Sequence, residues 1–195
     1  MQALTIQHES PAKPNFLIID SDGSKSLLDR ANVEWADNMV SGLSRSIANP
    51  PDVAVAVFRT AGAADTDVLV DVSRAIKRNR AGLWMIALVP ELQRELIDRL
   101  YEAGVDFVRV YPAGDIDWDT LIEQWENGVS GEQSTAELLA RLCPYMHDNR
   151  VEGTPGLVTC AAYRNRLVLG PKRLTSLCET PEHRECTYFK APRPA

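Results

Sequence analysis

The chain predicts an α/β fold, a three-layer sandwich around a mostly parallel sheet, followed by a small cysteine-rich C-terminal unit. Continuous, β-branched apolar runs recur at Asn15–Asp20, Val53–Phe58 and Leu83–Val89, as in strands buried on both faces. The segments between them carry apolar residues at helical spacing, and this alternation places helices on both faces of a parallel sheet. All four cysteines (Cys143, Cys160, Cys178 and Cys186) fall in the last 53 residues. So short a stretch with little apolar material needs a staple, either a disulfide or a metal.

The elements follow in order. Asn15–Asp20 is a strand that runs into the acidic loop DSDGS. Ser24–Arg30 reads as a short helix and Asn32–Ala36 as a weak second strand. Asp37–Asn49 sets Val40, Leu43 and Ile47 at helical spacing before Pro50-Pro51 stops it. Val53–Phe58 is a central strand. Thr66–Arg80 presents Leu69, Val72 and Ile76 on one face, with Lys77, Arg78 and Arg80 in its last turn, where the helix dipole favours cations. Leu83–Val89 is the third strong strand. Pro90 opens a helix whose inward residues are Leu92, Leu96, Ile97 and Leu100 and whose stop is Gly104. Phe107–Tyr111 is the last strand. Asp117–Gly128 places Trp118, Leu121, Ile122 and Trp125 on the core face of a final helix.

Composition narrows the function classes. The 195 residues, 45% hydrophobic and 25% charged, suit one full domain plus a small module. No window approaches 18 consecutive apolar residues, so no membrane span is expected. The first residues lack the charged and apolar regions of a secretory signal. The expected compartment is a reducing cytoplasm, where thiols serve as metal ligands or redox groups more often than as structural disulfides. Residues 1–142 hold 13 basic against 22 acidic residues, a net of −9, and residues 143–195 hold 8 against 5, a net of +3. The acidic part argues against nucleic-acid binding by the main domain.

Three segments carry a family resemblance. AGVDFVRVYP (Ala103–Pro112) resembles the helix-to-last-strand segment of response-regulator receiver domains. LIIDSDGSKSLL is similar to their first strand and acidic pocket, and ADNMVSGLSRSIANPPDVAVAV to their second helix and phospho-acceptor strand. The likeness covers Asn15–Gly128 and implies a receiver-like, flavodoxin-like domain over residues 15–130. The departures matter more. Where the family has its phospho-acceptor aspartate this chain has Val57, and Tyr111 replaces the lysine, although Pro112 remains. The hydroxyl residue expected near Ala87–Val89 is missing. Of the Mg²⁺-holding acidic pair Asp20 stays, followed by Ser21 and Asp22. The resemblance therefore implies a pseudo-receiver without a phosphorylation site, its fold kept as a protein-docking surface.

The loop DSDGS has a second reading. Phosphatases with a D-x-D-G-[TSV] loop would use Asp20 as nucleophile and Asp22 as general acid. Thr60 would then serve as a phosphate-binding hydroxyl, and Gly114-Asp115 with Asp119 would hold the metal. The plainer alternative is an acidic loop that caps a helix through Ser24.

In the C-terminal unit, residues 143–190, the spacing is C-x16-C-x17-C-x7-C. Zinc ribbons bring their ligands in close C-x2–4-C pairs, and none occurs here. Four scattered cysteines suit an iron–sulfur cluster, in which each thiolate takes a different iron. The segment is similar to bacterial cysteine-rich modules that begin C-P-Y and end C-x4-H-x2-C-x-Y, which implies a cluster-binding role. Cys143, Cys160, Cys178 and Cys186 are thus the candidate ligands of a 4Fe-4S cluster. Zinc is the alternative, and ordinary buried cysteines the third reading; His183 in place of one thiolate would favour zinc or a Cys₃His cluster. Tyr145, Tyr163, Tyr188 and Phe189 are placed to cover the site. Arg164, Arg166, Lys172 and Arg173 read as a solvated hairpin turned at Gly170-Pro171.

Together these readings predict a non-catalytic regulatory or adaptor protein. Its partner would be another protein, a homodimer being one form, and its cysteine module would serve redox sensing or structure. The rival expectations are an accessory electron-transfer subunit of a redox complex and a small Mg²⁺-dependent phosphohydrolase.

Overall fold

The computed structural model describes residues 13–21, 30–58, 63–111, 116–128, 133–149, 157–163 and 167–193. Five strands, β1 (Phe16–Ile19), β2 (Val33–Ala36), β3 (Val53–Val57), β4 (Trp84–Val89) and β5 (Phe107–Val110), form one sheet in the order β2-β1-β3-β4-β5. Every pairing in it is parallel. This is the flavodoxin-like doubly wound order, the fold expected of a receiver-like domain. The central runs are buried on both faces, as parallel strands flanked by helices must be.

The two faces are filled differently. Phe16, Ile18, Val53, Val55, Val57, Ile86, Leu88 and Phe107 meet Trp118, Ile122 and Trp125 of α4 (Trp118–Glu126). On the opposite face Leu17, Ile19, Ala54, Ala56, Met85 and Ala87 meet three helices: α1 (Met39–Ala48), α2 (Ala63–Asn79) and α3 (Arg94–Glu102). The alanines there let helices approach the sheet closely, while the valines opposite need the wide Trp125 to fill their side.

Two expectations change. Of the three α1 residues set at helical spacing, Leu43 packs against the core, but Val40 and Ile47 are exposed, and the fully buried residues are Gly42 and Ser46. A Cβ added at Gly42 would stand 2.7 Å from Ile19 Cδ1, so only glycine allows this approach to β1. Pro90 does not open α3. The helix starts after Gln93, and Pro90–Gln93 carry the chain off β4 with Leu92 still against the core. Gly104, at φ +85°, ends α3 as its sequence predicts, its N–H donating to the Tyr101 carbonyl. The proposed helix over Ser24–Arg30 lies almost wholly outside the described residues.

Beyond α4 the chain forms α5 (Thr135–Arg141), for which the sequence reading proposed no element. Its start is a reciprocal capping box between Ser134 and Glu137. Leu138 and Leu142 join the core beneath α3, and the Thr135 N–H donates to the Asp106 carbonyl at the foot of β5. The C-terminal unit follows as a three-stranded antiparallel sheet of β6 (Met146–Asn149), β7 (Leu157–Cys160) and β8 (Leu167–Val168). Single helical turns then run from Pro171 to Lys190. Gly170-Pro171 is not the hairpin turn: Gly170 precedes the first of these helical turns, and Pro171 takes its first position, where a missing N–H costs nothing. Arg164 and Arg166 lie outside the described residues.

Candidate functional site

The strand ends place the first candidate site. Parallel register sets Ile19 beside Ala56 and Val57 beside Leu88, so the next residue of β1, Asp20, stands near the C-terminal end of β3. Asp20 is fully buried and its N–H donates to the Ala36 carbonyl. Val57 is buried as well. Tyr111 lies just past β5 with its ring among the core residues of the α4 face, and its hydroxyl donates to the Phe58 carbonyl at 3.0 Å. An aromatic ring tied to the backbone thus occupies the level where the resemblance would place a cationic lysine. The three positions offer neither an exposed nucleophile nor a cation beside it. Asp22, Thr60, Pro112, Gly114 and Asp115 lie outside the described residues.

Removing the Tyr111 hydroxyl isolates what it contributes. Tyr111→Phe should cost about 1 kcal/mol, the net value of one buried hydrogen bond, read by denaturant unfolding. A neutral substitution would mean the hydroxyl does not hold the end of β5 to β3.

The second candidate is the cysteine set. Four separate segments deliver it: Cys143 directly after α5, Cys160 at the end of β7, Cys178 at the end of a π turn (Leu174–Cys178) and Cys186 after the turn Pro181–Glu185. Single π turns re-aim a residue within a helical run and are frequent at functional sites. Cys143, Cys160 and Cys178 are buried in one cluster with Met146, Ala162 and Leu169, closed over by Tyr145, Tyr188 and Phe189. The Cys143 N–H donates to the Cys178 carbonyl at 2.7 Å. Cys186 is half-buried at the edge, with the Arg173 guanidinium 3.5 Å from its sulfur. All four cysteines are free thiols.

The electrostatics tie the four together. Burial pushes the Cys178 thiol up to about 11, with Cys143 the next contribution and Cys160 and Cys186 adding to it. Burial also raises Cys143, and Cys160 and Cys186 add to that. Cys186 goes the other way. Its burial acts upward, but the N–H groups of Phe189 and Tyr188 and the Arg173 guanidinium outweigh it and lower its pKa. Those N–H groups favour the thiolate without forming a well-aligned capping bond. The thiol with the lowered pKa stands beside three buried thiols, and a metal loading all four must displace protons.

This sets a pH dependence for the metal-free chain. A thiol whose folded pKa is raised stabilises the fold fully below its unfolded value and loses that contribution as pH rises through the folded one. For Cys178, raised from 9.0 to about 11, the loosened metal-free C-terminal unit should lose what stability it retains between those values. Hydrogen exchange of metal-free protein across that range checks it. Residual protection in β6 and β7 that does not change with pH would show that burial does not govern this thiol.

His183 is buried, but its Nδ1 lies 2.7 Å from the Thr180 carbonyl and 3.0 Å from the Arg141 carbonyl. The ring thus spends Nδ1 holding the unit to the end of α5 and packs on Phe189. Tyr163, expected as cover, is exposed, its ring tilted against Tyr188 at 5.1 Å. Sequence reasoning missed Arg94, whose Nη1 donates to the Leu139 and Leu142 carbonyls at 2.8 Å each, next to Cys143. No local signal reveals a side chain that serves carbonyls nearly fifty positions away.

The donor set bears on which group would fit. Four soft thiolates suit zinc or an iron–sulfur cluster. A single zinc at about 2.3 Å from each sulfur draws the four to within about 3.8 Å of one another. Among the described residues no group of three or more His, Cys, Asp or Glu is arranged to hold one metal ion.

No family model matches the chain, and no curated protein does. Among solved structures it is similar to the isolated receiver domain of RcsB from Salmonella enterica serovar Typhimurium, at 15% identity, covering 60% of this chain and 91% of that one, with a TM-score of 0.42. The signal receiver domain of NarL from Mycobacterium tuberculosis aligns at 16% identity over 60% of this chain and 99% of its own, TM-score 0.44. The response regulator DrrB of Thermotoga maritima aligns at 17% identity over 86% and 73%, TM-score 0.46. The fold itself rests on the chain's own strand order.

Proposed function

We propose that the chain is a non-catalytic cytoplasmic regulatory or adaptor protein in which a pseudo-receiver domain carries a four-cysteine module holding a 4Fe-4S cluster. The carrying observation is the convergence of Cys143, Cys160, Cys178 and Cys186 from four segments into one largely buried cluster. The buried Val57 and the bonded Tyr111 at the receiver positions support loss of phosphorylation. When bound, such a cluster supplies a redox couple, which suits sensing. The residues around it would exclude water and offset thiolate charge through Arg173. Full burial of Asp20 weighs against the phosphohydrolase reading, which needs that carboxylate open to substrate. No described helix is long and apolar enough to cross a membrane, and a protein partner is the expected target.

Protein purified without oxygen should be brown and absorb near ~400 nm, and each single Cys→Ala variant should lower that absorbance. Colourless protein with one zinc per chain would assign the module a structural role. Colourless, metal-free protein would overturn the proposal. Incubation with acetyl phosphate and Mg²⁺ should leave the mass of the chain unchanged, because Val57 has no nucleophilic atom. A phosphorylated species lost in Asp20→Asn would instead favour the phosphohydrolase reading.

A further inference from the structure

We infer that helix α3 is the element through which the state of the cysteine centre reaches the α/β domain, with Arg94 as the positioning residue at the joint. This rests on the reading that the four thiolates hold an iron–sulfur cluster.

The last carbonyls of a helix lack intrahelical partners. At the end of α5 they are shared between two bodies. From α3, Arg94 Nη1 donates to the Leu139 and Leu142 carbonyls, both at 2.8 Å. From the cysteine unit, His183 Nδ1 reaches the Arg141 carbonyl at 3.0 Å. The next residue is Cys143, its N–H fixed to Cys178 at 2.7 Å. The guanidinium of Arg94 cannot simply swing to follow a moving carbonyl. Its Nε and Nη2 are held by Asp98 at 2.9 and 3.1 Å, one turn along the same helix. Displacement of Leu142–Cys143 therefore acts on α3 itself.

A second grip lies on the other side of the same cysteine. Glu95, adjacent to Arg94, pairs with His147 Nδ1 of β6 at 2.9 Å. Two consecutive residues of α3 thus hold the chain before and after Cys143. The remaining face of α3, through Leu96, Ile97 and Leu100, is buried against the sheet, so the helix is positioned to respond as one body.

Hydrogen exchange on the full chain tests this, comparing iron-loaded protein with protein stripped by a ferrous chelator. In the wild type, stripping should speed exchange in α3 and α5 about tenfold, less than in β6, and leave β1, β3 and β4 unchanged. In Arg94→Met the α3 response should vanish. By reciprocity of coupled equilibria, Arg94→Met should also shift the equilibrium partition of iron toward the chelator about tenfold. Arg94→Lys, which keeps the charge but not the fork of donors, should fall between. Should Arg94→Met fail to fold, His147→Ala loosens the other grip and should cut the α3 response about threefold. Iron lost with α3 unmoved, α3 and β3 accelerating together, or an undiminished response in the variants would overturn the inference alone. A chain isolated with no iron overturns the cluster reading, and this inference with it.

Discussion

Cys160→Ala, or removal of the metal, should release residues 143–193 into rapid hydrogen exchange while β1, β3 and β4 stay protected. The two regions differ in what holds them. The sheet has two apolar clusters, with Ile18, Val55, Val57, Met85 and Leu88 essentially inaccessible to water. The C-terminal unit has one small cluster, and three of its six buried members are the cysteines Cys143, Cys160 and Cys178. Structural metal sites supply on the order of 10 kcal/mol of folding free energy. Losing that from so small a core should raise exchange in β6 and β7 at least about 10²-fold. Continued protection after Cys160→Ala would make the cysteines plain core residues. Loss of protection in β3 and β4 as well would make α5 and the sheet one cooperative unit with the module.

The second large effect belongs to the α/β core. Trp125 is fully buried on α4 and stacks on Phe16 with ring centroids 6.4 Å apart. Trp125→Ala should cost about 3–5 kcal/mol and lower Tm by on the order of 10 °C. Val40→Ala and Ile47→Ala, at exposed positions of α1, should stay within about 0.5 kcal/mol. Equal effects from the three would contradict the orientation of α1 and the role of α4. Denaturant unfolding of the metal-loaded protein separates these outcomes.

The strands were legible because a parallel sheet demands continuous apolar runs, and VAVAV and WMIALV are such runs. Helix α4 was legible for the related reason that Trp118, Ile122 and Trp125 repeat at helical spacing. Helix α1 was legible only in part: Leu43 packs inward with Met39, but the residues nearest β1 are Gly42 and Ser46, which give closeness rather than apolar area. Helix α5 carried a readable signature, Ser134 with Glu137 three residues on, ahead of only seven helical residues. At the candidate centre, the sequence pointed to the four cysteines but not to their surroundings. Their gathering depends on an antiparallel sheet, a π turn and the latch of His183 onto α5, none of which leaves a periodic trace. The lowered pKa of Cys186 was likewise out of reach, since it arises from two backbone N–H groups and Arg173 brought together by folding.

Quantifying iron and acid-labile sulfide in protein purified without oxygen tests the central claim most directly. The account predicts about four of each per chain, as a 4Fe-4S cluster on four thiolates requires, and their loss on replacing any of Cys143, Cys160, Cys178 or Cys186. One zinc and no sulfide, or no metal at all, would contradict it.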